Sequence, residues 1–229
     1  MRRDILQRLI AAGSSRAALA VVTRLSDGRQ ALVDREILCG DLTLSAELLR
    51  FIADCARAER SGPLAQDEDL FVRVYAGSPR LLVVGAVHVS VALAPMASLA
   101  GFEVTVIDPR RAFGSTERFA GVTLSNEWPD EAMARLEPDA RTAVVTLTHD
   151  PKLDDPALIA ALKSPAFYIG ALGSSRTHAK RVQRLTEQGL GGQTDRIHAP
   201  VGLALGGRSP NEIAVAIVAQ IVQERYRSP

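Results

Sequence analysis

Residues 80–226 alternate between short apolar runs and longer segments with helical character. The run at residues 81–84 is apolar throughout, as in a strand that is buried on both faces, and residues 104–107 form a second, β-branched run. The segment between them has no formally charged residue and ends at Gly101, which predicts a helix from about His88. The pattern therefore predicts a strand–helix–strand unit.

The same alternation continues towards the end of the chain. Ser209-Pro210-Asn211-Glu212 combines a serine cap, a proline at the first helical position and a glutamate at the third, which indicates a helix start. Alternation at these lengths predicts an α/β fold with a Rossmann-like, doubly wound, mainly parallel sheet. The predicted strands are residues 122–124, 143–148 and 166–169, and the predicted helices are residues 130–136, 156–162, 174–188 and 210–226.

The amino-terminal third of the chain has a different organisation. It contains helical segments and short strands, two of which flank the turn pair Asp27-Gly28. Gly77-Ser78-Pro79 is the strongest linker signal in the chain. We therefore predict two domains, a small α/β appendage at residues 1–78 and the Rossmann-like domain at residues 79–229.

Gly85 and Asp108 occupy the positions of a dinucleotide-binding motif. In such motifs a G-x-G-x-x-G turn holds the pyrophosphate, and an acidic residue about 20 positions later binds the ribose. Here Val87 and Ser90 replace the second and third glycines, and the Val87 side chain is expected to crowd a pyrophosphate. The unit predicts the fold better than it predicts an NAD(P)-dependent oxidoreductase, which stays as an alternative.

Composition and charge exclude several classes of protein. The chain has 229 residues and a formal net charge of +1, which gives no attraction to nucleic acid or to an acidic membrane surface. Cys39 and Cys55 have no metal-ligand spacing, so we predict no metal site, and two unpaired cysteines suit a cytoplasmic protein. The charged first residues lead us to expect no signal peptide. Residues 81–102 are uncharged, but their glycine, histidine and proline argue against a membrane helix.

Polar clusters follow three of the predicted strands. Ligands of doubly wound sheets bind outside the carboxyl ends of the strands, so these clusters and the turn after the first strand form the candidate site. We predict cofactor-binding roles for Gly85, His88, Asp108, Arg110, Arg118, His149, Asp150, Gly170, Gly173, Ser174, Arg176 and His178.

The cluster that follows residues 166–169 has the clearest chemistry. Glycines and serines lead into a helix whose first turns carry Arg176, Lys180 and Arg181. Basic side chains are unfavourable at the positive amino end of a helix, whereas a bound phosphate would accept hydrogen bonds from both the backbone and these side chains. The alternative is that Arg176, Lys180 and Arg184, at four-residue spacing, form a solvent-exposed stripe.

The histidines of the candidate site admit more than one role. His149-Asp150 fits a proton-transfer pair, a metal ligand or a helix cap, and the cap is the default because aspartate before Pro151 is a good cap. His88 begins a helix at the ligand edge of the sheet, which favours ligand contact over simple packing.

Six motifs in register resemble the carboxyl-terminal Rossmann domain of the XdhC/CoxI family, over roughly residues 81–226. They are Val-Ile-Asp-Pro-Arg, Glu-Arg-Phe, Thr-His-Asp-Pro-Lys-Leu-Asp, Tyr-Ile-Gly-Ala-Leu-Gly-Ser, Ala-Pro-Val-Gly-Leu and Ser-Pro-Asn-Glu-Ile-Ala-Val-Ala-Ile. The chain departs from the family at Val87 and Ser90 in the first loop and at Ala204, where the family has a carboxylate. The cysteine motifs of the amino-terminal half fit poorly, so we assign no sulfur-handling role to Cys39.

The resemblance implies an accessory factor of molybdenum hydroxylases such as xanthine dehydrogenase and aerobic carbon monoxide dehydrogenase. Proteins of that family are thought to bind molybdopterin, the organic part of the molybdenum cofactor, or its dinucleotide form, assist its sulfuration and deliver it to the apo-enzyme. The implied partners are the hydroxylase apo-enzyme and a cysteine desulfurase, and the apolar final helix leaves a homodimer open. A non-catalytic adaptor that docks the hydroxylase is a further alternative, and the sequence leaves open whether the protein catalyses a reaction.

Overall fold

The structure, a computed structural model, describes residues 1–12 and 18–227. Contacts between Cα atoms divide the chain into two compact units, Met1–Gly77 and Ser78–Pro229. Among the helices of the described ranges, none combines the length and the apolar character needed to cross a membrane.

The first unit is a five-stranded antiparallel sheet with a helix on each face. Its elements are α1 (Arg3–Ala11), β1 (Leu19–Arg24), β2 (Gln30–Val33), β3 (Ile37–Gly40), α2 (Ala46–Arg57), β4 (Gly62–Leu64) and β5 (Asp67–Tyr75). The strand order is β3-β2-β1-β5-β4. Ile52 of α2 packs against one face, beside Val22 and Val72, and Ile5 of α1 packs against the other. The predicted α/β appendage is confirmed, and its edge strands β3 and β4 are additions to the strands that the sequence predicts.

The second unit alternates strands and helices along the chain. Its elements are β6 (Arg80–Val84), α3 (His88–Leu99), β7 (Glu103–Ile107), β8 (Thr123–Ser125), α4 (Pro129–Leu136), β9 (Thr142–Thr146), α5 (Pro151–Lys163), β10 (Tyr168–Ala171), α6 (Ser175–Glu187), a 3₁₀-helix (Gly191–Arg196), β11 (Ile197–His198) and α7 (Pro210–Arg225).

The six strands of the second unit form a parallel sheet in the order β11-β10-β9-β6-β7-β8. Helices α3 and α7 pack on one face, where Leu93 and Ile217 join a core with Val83. Helices α4, α5 and α6 cover the other face, where Leu158 and Leu185 are buried. The predicted Rossmann-like, doubly wound sheet is confirmed.

Local signals account for the helix starts. The Ser209 hydroxyl accepts from Glu212 N–H at 3.3 Å, and Glu212 Oε2 accepts from Ser209 N–H at 2.9 Å, which is the reciprocal pair of a capping box. Helix α5 begins at Pro151, whereas the sequence predicts its start at Pro156. Pro156 lies inside α5 and has no N–H to donate, yet the helix continues to Lys163.

Candidate functional site

The carboxyl ends of the parallel strands gather the predicted residues at one edge of the sheet. Strand β6 lies beside both β7 and β9, so the chain runs outward in one direction through β8 and then returns to the other side of β6. Such a reversal opens a crevice between the loops on either side, and ligands of doubly wound folds bind there. The turn after β6 and the loop after β9 border this crevice.

A cleft of about 610 Å³ opens at this reversal point, and its volume is typical of small-molecule sites. It brings together four predicted residues, His88, Arg110, His149 and Asp150. Both histidines are exposed. The remaining lining residues are Val87, Val89, Leu147, Thr148, Pro151 and Leu172. The cleft therefore combines apolar walls with hydrogen-bond donors, a cation and a carboxylate.

Gly85 allows close packing at the turn between β6 and α3. Its φ is +108°, which favours glycine, and its N–H donates to Ile107 O at 2.8 Å. A Cβ at this position would lie 2.5 Å from Thr148 Cγ2. Contact between this turn and the loop after β9 therefore requires glycine, independently of any contact with a ligand.

Asp108 is saturated by donors from the protein itself. Its Oδ2 accepts from Ala86 N–H at 2.8 Å and from Arg110 Nη2 at 2.8 Å, and its Oδ1 accepts from the Arg110 backbone and Nε, both at 2.9 Å. The side chain is 1% exposed. Burial alone raises the pKa of Asp108, but the hydrogen bonds from Arg110 and Ala86 outweigh burial and hold it below its usual value. The carboxylate fixes the turn and Arg110, and it presents no oxygen to a ribose.

Two of the three predicted arginines, Arg110 and Arg118, line different clefts beside the β6–α3 turn. Arg110 stacks over the Phe113 ring at 4.5 Å and is 37% exposed beside the 610 Å³ cleft. Arg118 Nη1 donates to Ala86 O at 3.3 Å and also to Phe113 O. Arg118 lines a second cleft, of about 600 Å³, together with Ala86, Val87, His88, Val91, Phe113, Pro210 and Asn211. Of the two, Arg110 has the side chain that reaches the reversal point.

Asp150 is the amino-terminal cap of α5. Its Oδ1 accepts from Lys152 N–H at 3.0 Å, and Pro151 occupies the first helical position. The default interpretation from the sequence, a helix cap, is confirmed. His149 precedes the cap and is exposed, so its imidazole faces the cleft without being part of the cap.

Gly170 lies within β10 and Gly173 follows it, and the two predicted glycines have different environments. Gly170 is buried within β10, where a Cβ would lie 2.6 Å from Val201 Cγ2, so its contacts are with the core. Gly173 has a φ of +136° and is partly exposed. A Cβ there would lie 3.1 Å from Thr177 Cβ and Cγ2. Gly173 is therefore the glycine that leaves space in front of α6.

Helix α6 carries the remaining predicted residues. Ser174 caps it, and its hydroxyl accepts from Thr177 N–H at 3.2 Å. Arg176 is exposed on the first turn. His178 is half-buried, its Nδ1 has no hydrogen-bond partner among the described residues, and burial together with the nearby Arg181 charge lowers its pKa.

Arg181, one of the three basic residues that the sequence places in the first turns of α6, is buried, unlike Arg176 and Lys180. It is 2% exposed, its Nη2 donates to Leu172 O at 2.9 Å, and that atom lies 3.6 Å from Asp154 Oδ2. Asp154 also accepts from Thr148 Oγ1 at 2.7 Å. The burial of Arg181 is visible in the sequence spacing, because Arg181 lies four residues before the buried Leu185 and therefore on the apolar face of α6.

The charged forms of this buried pair are both disfavoured. Burial raises the pKa of Asp154 to about 6, and the Thr148 hydrogen bond and the Arg181 charge offset only part of that effect. Burial lowers the pKa of Arg181 in spite of the Asp154 charge. The separation of 3.6 Å is too long for a good hydrogen bond, so the two residues neutralise each other incompletely.

Sequence comparison places these features among known proteins. Residues 81–221 match the family described as the XdhC Rossmann domain. The molybdenum cofactor insertion chaperone PaoD of Escherichia coli (strain K12) is 39% identical over 99 residues, which cover 43% of this chain and 30% of that protein. A probable xanthine dehydrogenase subunit of Bacillus subtilis (strain 168) is 33% identical over 165 residues, which cover 71% of this chain and 48% of that protein.

A third relative and a solved structure extend the comparison. The uncharacterized protein YqeB of Escherichia coli (strain K12) is 31% identical over 182 residues, which cover 77% of this chain and 32% of that protein. The chain thus spans about a third to a half of the length of these curated relatives. A structure described as a xanthine dehydrogenase from Bacillus halodurans aligns with a TM-score of 0.76 at 23% identity, covering 97% of this chain and 64% of that one, and shows the same fold.

Proposed function

The chain belongs to the XdhC family, and on that premise we propose that it binds the molybdenum cofactor and delivers it to a molybdenum hydroxylase. The observation that carries the proposal is the 610 Å³ cleft at the reversal point of the sheet, which the family's domain surrounds with His88, Arg110, His149 and Asp150. A xanthine dehydrogenase is one such hydroxylase. The dinucleotide form of the cofactor is included in the proposal.

The names of two relatives support this function. One is described as a molybdenum cofactor insertion chaperone and the other as a probable xanthine dehydrogenase subunit. The aligned part of the chaperone covers 43% of this chain. Because the chain spans at most about half of either relative, the function is carried over as a proposal that its own site must support.

The donors and acceptors of the cleft fit a pterin that bears a phosphate. A pterin edge both donates and accepts hydrogen bonds, and the cleft offers imidazoles, a guanidinium and a carboxylate. Asp150 can accept from a ligand through Oδ2, since the helix cap uses Oδ1, whereas Asp108 is saturated. Arg110 is held in place by Asp108 and carries a positive charge beside the cleft. When bound, the molybdenum centre supplies redox chemistry, whereas these residues bind and orient the organic part.

Delivery of the cofactor requires partner proteins. The recipient is a molybdenum hydroxylase apo-enzyme, and sulfuration of the cofactor would bring a cysteine desulfurase to the same site. Cys55 is buried and burial raises the pKa of its thiol, so a persulfide on Cys55 is not part of the proposal. Association into a homodimer is an expectation that light scattering on the purified protein would test.

The main alternative is an NAD(P)-dependent oxidoreductase. Val87 and Ser90 replace two glycines of the dinucleotide motif, and the Asp108 carboxylate is occupied by Ala86 and Arg110. A ribose hydroxyl would have to displace those hydrogen bonds, at a cost of about 1–3 kcal/mol for each buried group left unpaired. We therefore expect no micromolar binding of NAD(P).

The test is binding and transfer by the full chain. We expect the purified protein to bind molybdopterin and to increase the activity recovered when apo-xanthine dehydrogenase is reconstituted. His88→Ala combined with His149→Ala should lower cofactor affinity without loss of the fold, because both side chains are exposed. Gln193→Ala is the control, since Gln193 is exposed and precedes β11 at the opposite edge of the sheet. Absence of molybdopterin binding, with no effect on reconstitution, would contradict the function and favour the adaptor.

A further inference from the structure

A small pocket lies beside helix α6, next to the 610 Å³ cleft. Its volume is about 270 Å³, and it is lined by His149, Pro151, Asp154, Arg176, Thr177, Lys180, Arg181 and Arg184. Four of these residues are basic and one is acidic, in a chain whose net charge is only +1. The pocket is therefore a local concentration of positive charge, and it shares His149 and Pro151 with the larger cleft.

Arg181, a lining residue of this pocket, has unused hydrogen-bonding capacity. The side chain is 3% exposed, and its Nε and Nη1 have no hydrogen-bond partner among the described residues. Leaving buried donors of a charged group unpaired is costly, and Asp154 is too distant to satisfy them. An anion with several oxygens is the chemical group that would satisfy these donors.

The rim of the pocket supplies further donors. Helix α6 begins here, with Gly173 and Ser174 in front of it, and the first backbone N–H groups of a helix lack intrahelical partners. Arg176 and Lys180 are exposed, and neither side chain forms an ion pair within the described part of the chain. Arg184, by contrast, donates to Asp155 Oδ1 at 2.9 Å and is already neutralised.

We infer that this pocket binds the phosphate or pyrophosphate group of the ligand, with Arg181 beneath the anion and Arg176 and Lys180 at the rim. The inference rests on the proposed function only for the identity of the molecule that carries the phosphate. A volume of 270 Å³ admits a pyrophosphate but is small for a pterin nucleotide, whose remainder would lie in the adjoining cleft. The pocket would take the place of the β6–α3 turn, where Val87 is expected to crowd the usual position of a pyrophosphate.

The test uses inorganic pyrophosphate as the probe and the full chain as the protein. Titration followed by calorimetry and by backbone NMR should show binding, with the amide shifts concentrated at residues 173–177. Arg176→Gln combined with Lys180→Gln should weaken pyrophosphate binding about tenfold or more, since each removes a charged donor. Lys163→Gln is the matched control, because Lys163 is an exposed lysine at the far end of α5 and should leave affinity unchanged.

Arg181→Lys tests the floor of the pocket while keeping its charge. We expect weaker pyrophosphate binding in this variant, with folding checked by its thermal melting curve. Equal affinity in the wild-type protein, the Arg176/Lys180 variant and the Lys163 control would overturn the inference. If these three proteins bind pyrophosphate equally and the wild-type protein still binds molybdopterin, the proposed function remains. If pyrophosphate binding depends on Arg176 and Lys180 but molybdopterin does not bind, the pocket is supported and the proposed function is contradicted.

Discussion

Replacing Asp154 with asparagine should change how the stability of the protein depends on pH. The Asp154 side chain is 3% exposed, and burial raises its pKa from 3.8 to about 6. The folded state therefore holds this proton more tightly than the unfolded state. The stabilisation that results is fully present below the unfolded pKa of 3.8 and is lost as the pH rises through about 6.

The pKa difference fixes the size of the effect. A rise from 3.8 to about 6 corresponds to about 3 kcal/mol in total, of which about 2 kcal/mol falls between about pH 4.5 and about pH 7. Urea unfolding of the wild-type protein and of Asp154→Asn, followed by circular dichroism, measures both free energies of unfolding at each pH. Because the other titrating groups are common to both proteins, we expect the wild-type protein to lose about 2 kcal/mol relative to the variant over this interval.

Asp108→Asn provides a contrast of opposite sign. Hydrogen bonds from Arg110 and Ala86 hold the pKa of Asp108 below its usual value, so its contribution to stability is present above the unfolded pKa and is lost as the pH falls. The wild-type protein should therefore gain stability relative to Asp108→Asn as the pH rises. A pH-independent difference for Asp154→Asn, or one with the sign expected for Asp108→Asn, would refute the account of the buried pair.

Three further predictions concern the loops at the same edge of the sheet. Gly173→Val should weaken pyrophosphate binding and lower the free energy of unfolding by about 1–3 kcal/mol. The reason is that φ is +136° at this position and a Cβ would lie 3.1 Å from Thr177 Cβ. Unchanged pyrophosphate affinity in calorimetry would contradict the prediction. Sulfate, which keeps its charge between about pH 5 and about pH 8, should bind more tightly as the pH falls through about 6, because protonation of Asp154 removes the negative charge nearest Arg181. His149, Asp155 and Arg184 also face this pocket or its border. The same titration is therefore repeated with Asp154→Asn, and a pH dependence of sulfate affinity as large as that of the wild-type protein would contradict the assignment to Asp154. Gly85→Ala should lower the free energy of unfolding measured in urea. Adding Thr148→Ser should recover part of this loss, since the second substitution removes the methyl group 2.5 Å from the new Cβ. If the double variant is no more stable than Gly85→Ala, backbone strain alone is responsible.

The sequence predicted the central elements because their signals are local. The strand–helix–strand unit around Gly85 follows from apolar runs and a glycine turn, and the last helix follows from its capping box. The edge strands β3 and β4 were missed because strands of three or four residues, one containing Pro63, have no clear alternation of buried and exposed positions. The two-residue strand β11 is shorter than any periodic pattern.

The chemistry of the site was harder to predict than the fold. Sequence spacing identified the loops that meet at the reversal point, so His88, Arg110, His149 and Asp150 were found together. It could not show that Asp108 is saturated by Arg110, because that depends on the course of the loop after β7. The Asp154–Arg181 pair joins two helices through tertiary packing alone, 27 residues apart in the chain.

The short loop after β9 and the start of α5 border two compartments at once, since His149 and Pro151 belong to both the 610 Å³ cleft and the 270 Å³ pocket. A substitution in this loop alters both ends of a ligand's environment together, which makes it a poor position at which to change specificity. The outer boundaries are separate, with Val87 on one side and Arg184 on the other. Divergence between relatives that handle different ligands should therefore accumulate at those outer boundaries, while the loop between them is retained.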